Sequence, residues 1–195
     1  MEQGEAYGSE AALEAQGNLG DPHQAPNVRE RARACVVQLA IDSKLRACDL
    51  TRLLVQDICH GGQVAARATV IQQKTHRPVQ FEITEQTRES VDAWIRIRGL
   101  CSSDHLFPSR LHASAHLSTR QYARLVHRRI ASIGLDDSAY GTHTLRRTKA
   151  SLIYRRTKNL RAVQLLLGHT KIESTVRYLG IEVDDALEMA EQTEV

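Results

Sequence analysis

No run of apolar residues in this chain approaches the roughly 18 to 20 needed to cross a bilayer, and its first residues lack the basic, apolar, small-residue order of a secretory signal. Both absences argue against a membrane or secreted protein. The four cysteines, Cys35, Cys48, Cys59 and Cys101, include no C-x-x-C pair. Zinc-ribbon and thioredoxin readings therefore lose their spacing, and reduced cytoplasmic thiols used for packing fit best. There is no internal repeat and no low-complexity tract. What remains is 195 residues, 42% hydrophobic, 25% charged and 4% aromatic, enough for one domain with a real core and cramped for two.

Basic residues are missing from both ends. Residues 1–28 hold five acids and no Lys or Arg, and residues 181–195 hold six acids and no Lys or Arg. The formal net charge of +3 therefore conceals a middle block, residues 29–180, in which 26 Lys and Arg face 12 acids, a net +14. A folded body with that excess favours a polyanionic partner whose phosphates displace condensed counterions, and nucleic acid is the leading candidate. The competing explanation is that the acidic ends fold back over the basic body and neutralise it.

Periodicity gives a coarse plan. Residues 1–28 read as a flexible acidic leader, with room for one short helix near residues 11–15. A helix is expected over about residues 29–41, broken at 42–45 and resumed through Leu50, Leu53 and Leu54, which puts Arg46 near a helix start. After Gly61-Gly62, residues 68–74 and the alternation of Val79, Phe81 and Ile83 read as two strands joined by a turn containing Pro78, with Lys74 at the hairpin tip. Helices follow over residues 85–98, from a Ser118 cap, after Thr142, and from an Asn159 cap to Gly168, which stops the last of these and presents His169. Arg120, Arg124 and Arg128 make the solvent side of the Ser118 helix basic. An acidic helix over about residues 182–190 ends the chain. The fold class is α+β, mainly α, a helical bundle with a small antiparallel hairpin.

Three clusters inside the basic block have chemistry to offer. In Lys44-Leu45-Arg46-Ala47-Cys48-Asp49, the acid three residues after Arg46 shares its helical face and is expected to orient the guanidinium. Lys74 offers a compact ammonium on a turn, within reach of a phosphate or leaving oxygen. The third cluster is ordered along the chain: His143-Thr144-Leu145-Arg146, then Leu167-Gly168-His169, then Thr175-Val176-Arg177-Tyr178. It reads as a cationic pocket with a phenol nucleophile, and a phenol needs such a pocket because free tyrosine is almost wholly protonated at neutral pH.

In order and spacing these residues resemble the tyrosine recombinase, or phage integrase, family, whose pattern is a first-box Arg, a hairpin Lys, His-x-x-Arg, Gly-His and a downstream Tyr. The likeness runs over residues 29–195. It implies the catalytic-domain fold of that family, with residues 29–180 as the DNA breaking and rejoining domain. It also implies that Arg46 and Arg146 clamp the non-bridging oxygens of a scissile phosphate, with His169 adding a hydrogen bond. Tyr178 would then attack in line, Lys74 would protonate the leaving 5′ oxygen, and His143 would assist proton transfer at the phenol. No metal and no cofactor is called for.

Two departures from the family pattern are Lys44, where a small residue or Gly is usual, and Asp49, where Glu is common. Arg147 stands where a second His is common. Most relatives also carry an N-terminal core-binding domain, so the layout resembles a single-domain recombinase or the catalytic piece of something larger. The implied partners are double-stranded DNA, further copies of the chain in a tetramer on paired sites, an accessory or two-domain recombinase, and a neighbouring protomer receiving the acidic C-terminal helix. The implied location is the bacterial cytoplasm, at the nucleoid. A type IB topoisomerase-like activity and a non-enzymatic DNA-binding relative remain as alternatives.

Overall fold

The computed structural model describes residues 28–109 and 114–181, together with Leu187 and Glu191. The leader and most of the last acidic helix lie outside the described residues, although Leu187 and Glu191 are both helical.

Helix α1 (Val28–Ser43) presents Cys35, Val36, Leu39 and Ala40 as a buried strip at helical spacing. It packs against helix α4 (Glu85–Arg98), whose Val91 and Trp94 face inward. The Trp94 indole donates to the Leu106 carbonyl at 2.7 Å, so its one polar atom is satisfied in the core. Between these helices come two one-turn segments, α2 (Ala47–Leu50) and α3 (Val55–Ile58). Two antiparallel pairs follow, β1 (Cys59–His60) with β2 (Gln63–Val64), and β3 (Arg67–Ile71) with β4 (Pro78–Glu82). The first pair is absent from the sequence reading. Its turn is Gly61-Gly62, with φ +59° and +79°, the left-handed pair that a two-residue hairpin demands.

After α4 come α5 (Thr119–Ser132), a short 3₁₀ turn (Asp137–Ala139), α6 (Thr142–Thr157), α7 (Leu160–Leu167) and α8 (Ile172–Leu179). The caps match expectation. Ser118 accepts from the Gln121 amide at 3.2 Å, and Asn159 accepts from the Ala162 amide at 2.9 Å. Among the described residues, no helix is long and apolar enough to cross a membrane.

Buried side chains form two clusters. The larger runs from Cys35 through Phe81, Trp94 and Tyr122 to Leu145, and the smaller joins Ala150, Val163, Leu167 and Leu179. Leu145 belongs to one cluster and Ala150 to the other, so α6 is the beam on which both rest, with Arg146 at the junction. Of the cysteines, Cys35 packs in the core and burial raises its thiol pKa to about 12. Cys101 is exposed and does not pack, contrary to the sequence reading.

Three boundaries differ from expectation. The hairpin's first strand stops at Ile71 rather than at residue 74, and Pro78 opens β4 opposite Ile71 instead of lying in the turn. A proline, with no N–H to give, suits the first residue of a strand. Helix α1 runs two residues longer than expected because Asp42 has partners that hold it in place. Its carboxylate takes the Thr84 amide at 2.9 Å, the Thr84 hydroxyl at 2.7 Å and the Lys149 ammonium at 2.6 Å. The resumed helix is α2 alone, a single turn.

The chain turns at Lys44, which takes φ +53°, a region that favours glycine. Its ammonium is buried. It donates to the Asp42 carbonyl and to both Glu82 oxygens, at 3.0 and 3.1 Å, while Lys149 reaches Glu82 at 2.9 Å. Burial pushes the Asp42 and Glu82 carboxyls up, but the Lys149 bonds and their other partners bring both below their ordinary values. Their contribution to stability is present above the ordinary carboxylate range and lost as pH falls through the folded values. Lys44→Met is expected to destabilise the fold by about 2 kcal/mol, the scale of a hydrogen bond to a charged group. The check is the urea midpoint at pH 7, and an unmoved midpoint would show that relief of desolvation offsets the lost bonds.

Candidate active site

Four of the six residues singled out in the sequence converge: Arg46, Arg146, His169 and Tyr178. Arg46 sits in extended conformation just before α2, and its carbonyl accepts from the Asp49 and Leu50 amides at 3.0 and 2.9 Å. One guanidinium nitrogen, Nη1, donates to the side-chain oxygen of Gln72. Contrary to the sequence reading, Asp49 does not orient it. Asp49 Oδ1 instead accepts the Gln73 amide at 2.8 Å, and Arg52 reaches the Gln73 side chain at 2.8 Å. The first-box acid thus ties down the turn that carries Lys74. The sequence offered Arg46 as the partner of this carboxylate, but which donor it takes depends on where the hairpin lands.

Arg146, on the second turn of α6, is 2% exposed. Its Nη2 donates to the Leu167 carbonyl at 2.7 Å, and its Nη1 is buried with no hydrogen-bond partner. Its guanidinium carbon lies 5.9 Å from the centre of the Tyr178 ring. Burial lowers the Arg146 pKa, with Tyr178 working the other way. A guanidinium still keeps its charge at neutral pH. An unpaired, buried, charged donor facing a phenol is where an anionic oxygen would be stabilised most.

Tyr178 lies on α8, a helix absent from the sequence reading. Eight residues including Ile172, Thr175 and Val176 have modest intrinsic propensity, so the signal was weak. What holds α8 is tertiary: Leu179 and Tyr178 pack on the smaller cluster, and Gly180 ends the helix at φ +68°. The phenol donates to the His143 backbone carbonyl at 3.3 Å. Burial raises its pKa, while Arg146, Arg147 and Arg46 pull the other way.

His169 follows Gly168, which ends α7 at φ +64°. A side chain at Gly168 would meet Val79 and the Gln72 amide, at 2.9 and 3.0 Å from its Oε1 and Nε2, so the turn needs glycine for space as well as for φ. His169 meets Tyr178 edge-on at 5.4 Å between ring centres, and its Nδ1 lies 3.1 Å from the Thr175 hydroxyl. Burial, then Arg146 and Arg46, lower its pKa to about 4. At neutral pH the ring is uncharged, and with Nδ1 accepting from Thr175 it offers Nε2–H as a donor.

His169 is therefore expected to titrate near 4 rather than 6.5 when its ring protons are followed by NMR. Because the unfolded chain takes up this proton first, stability falls as pH drops from about 6.5 towards 4. A midpoint near 6.5 would place the ring away from the two arginines.

Two of the six stand apart. Lys74 is exposed on the β3–β4 turn and makes no hydrogen bond or ion pair with any described residue. The His143 side chain is exposed, and only its backbone carbonyl meets the phenol. Sequence reasoning missed Gln72 and Thr175. Gln72 lies two residues before Lys74 and Thr175 three before Tyr178, but neither has a side chain that announces chemistry. Arg120, Arg124 and Arg128 are exposed as expected. Arg124 and Arg128, with Arg33 and Arg98, rim a groove of about 210 Å³ floored by Trp94, Phe107 and Leu117.

Comparison with known proteins bears on the family and the fold. The Phage integrase family pattern matches residues 22–183. A Bacillus subtilis protein named "Probable integrase/recombinase YoeC" is 29% identical over 144 residues, spanning 74% of this chain and 75% of that one. Tyrosine recombinase XerC of Psychromonas ingrahamii is 30% identical over 154 residues, 76% of this chain and 48% of that one. This chain thus spans about half the length of the XerC relative. Among solved structures, XerA recombinase superposes with TM-score 0.67 at 18% identity, covering 98% of this chain and 62% of that one. XerH recombinase bound to its difH substrate gives TM-score 0.67 at 18% identity, over 95% and 51%. These likenesses show the fold, the mainly helical α+β domain expected from the sequence. With four of the six motif residues gathered in one pocket and the family pattern covering most of its length, the chain belongs to the phage integrase family of tyrosine recombinases.

Proposed function

We propose that this protein is a site-specific DNA recombinase that cuts and rejoins strands through Tyr178. The observation that carries this reading is the phenol beside a buried Arg146 donor with no partner, with Arg46 and a neutral His169 completing the same pocket. Arg46 and Arg146 bind the two non-bridging oxygens of the scissile phosphate, and His169 donates to one of them. As the Tyr178 oxygen bonds to phosphorus, the bond from phosphorus to the 5′ oxygen breaks. Lys74 gives that oxygen its proton, and the phenol's proton leaves with help from His143 or water. The exposure of Lys74 and His143 suits groups that meet the substrate only when DNA lies across the hairpin. The phosphotyrosine conserves the bond energy, so a second strand's 5′-hydroxyl can reverse the reaction.

The partner is double-stranded DNA, supported by the +14 of residues 29–180. Copies of the chain assemble as a tetramer on paired sites, together with an accessory or two-domain recombinase. The acidic C-terminal helix docks on a neighbouring protomer, where an arginine-rimmed apolar groove matches its charge and its Leu187 side. Work on chromosomal or mobile-element DNA places the protein at the nucleoid in the cytoplasm.

The test is a nicked suicide substrate built from the gene's flanking DNA, scored for a denaturation-resistant adduct whose labelled peptide contains Tyr178. Salt-sensitive binding with no adduct, even beside a two-domain relative, would favour a non-enzymatic DNA-binding role. Relaxation of supercoiled plasmid without recombinants would favour a topoisomerase-like activity.

A further inference from the structure

The two arginines of the pocket come from segments a hundred residues apart, and no described hydrogen bond joins them directly. One side chain links them. Gln72, in the turn after β3, is fully buried and spans the gap with both halves of its amide. Its Oε1 accepts from Arg46 Nη1 and from the Thr75 hydroxyl at 3.0 Å, and its Nε2 donates to the Leu167 carbonyl at 3.3 Å. The Leu167 carbonyl is also the acceptor that holds Arg146 Nη2, at 2.7 Å.

We propose that Gln72 is a positioning residue: its amide joins Arg46 to the carbonyl anchor of Arg146, fixing the spacing of the two arginines and tying that spacing to the Lys74 hairpin. This rests on the recombinase reading of the pocket.

The chemistry requires an amide. An acceptor must face the guanidinium while a donor on the same group faces a carbonyl, and only a carboxamide of this length offers both. Glutamate would accept from Arg46 but set an oxygen against the Leu167 carbonyl, and leucine would do neither. Backbone bonds lock the amide's origin: the Gln72 amide donates to the Arg77 carbonyl at 3.0 Å, and the His76 amide donates to the Gln72 carbonyl at 2.8 Å. Gly168 approaches the amide closely: a Cβ there would lie 2.9 and 3.0 Å from its Oε1 and Nε2. Thr75, which shares the same oxygen, adjoins Lys74, so a hairpin displaced by DNA would pull on Arg46.

The experiment is a double-mutant cycle on single-turnover cleavage of the nicked substrate, using Gln72→Leu, Arg46→Ala and the pair. Gln72→Leu is expected to slow cleavage at least about tenfold without weakening DNA binding, as misplaced catalytic groups do. In the Arg46→Ala background it is expected to change the rate less than about twofold, because its effect passes through Arg46. Effects that multiply in the pair, or wild-type cleavage by Gln72→Leu, would overturn the proposal.

A second readout needs no activity. In arginine-labelled protein, Arg46 side-chain NMR signals, assigned by their loss in Arg46→Ala, are expected to be resolved in the wild type and averaged in Gln72→Leu. Unchanged signals would overturn the positioning role. If the wild type forms no adduct, the recombinase reading fails while these signals still decide what Gln72 does.

Discussion

Tyr178→Phe is expected to abolish the covalent protein–DNA adduct while leaving DNA affinity and its salt dependence within about twofold of wild type. The substitution removes one oxygen. That oxygen donates one long hydrogen bond, 3.3 Å to the His143 carbonyl, and burial raises its pKa while Arg146 beside it pulls the other way, so little stability is at stake. The ring's other contacts survive in phenylalanine: packing on Leu179's cluster, the edge of His169 and the Arg146 face. Affinity stays because it comes from the charge of residues 29–180, which binds phosphates wherever they lie. Loss of the adduct should therefore be complete and selective. Cleavage that survives in the purified variant would mean another nucleophile, and the Tyr178 assignment would fall. A matching loss of DNA binding would show that the phenol holds α8 in place rather than reacting.

The site's residue types were legible because a phenol, guanidinia and imidazoles stand in an ordered pattern along the chain. The core strips of α1, α4 and α5 were legible for a different reason: buried residues recur at helical spacing and polar caps start the turns. What was not legible depends on contacts between distant segments. Helix α8 has weak propensity and exists because Leu179 finds the α6 and α7 cluster. Asp49 was expected to hold Arg46, and tertiary placement gave it the hairpin amide of Gln73 instead. Lys44 stood out in sequence as an odd replacement for a small residue. Its reason is in the fold, where Glu82 lies across from it and Lys149, three residues beyond Arg146, completes the pairing. Charges that read as surface charges one at a time turn out to be a partly buried set joining the end of α1, β4 and α6.

Arg146→Lys is expected to reduce single-turnover cleavage by about 10² to 10³, the scale of losing a preorganised charged donor from a phosphoryl or acyl transition state. The exchange keeps formal charge and loses geometry. Arginine serves two directions at once, with Nη2 held on the Leu167 carbonyl and Nη1 free for the substrate. A lysine ammonium is a point charge on a shorter reach, so satisfying the carbonyl draws it away from the phosphate. Burial adds a second penalty with a definite sign. The environment that lowers the pKa of Arg146 would lower that of a lysine too, and lysine begins two units closer to neutrality. The lysine variant should therefore lose activity as pH rises into the alkaline range, through deprotonation of its ammonium. Wild type should gain over the same range, because its guanidinium stays charged while more of the Tyr178 phenol ionises. Opposite slopes would identify Arg146 as the charge that faces the phosphate. Parallel slopes, or a loss below about tenfold, would assign that role to Arg46 and leave Arg146 as a strut between the two hydrophobic clusters.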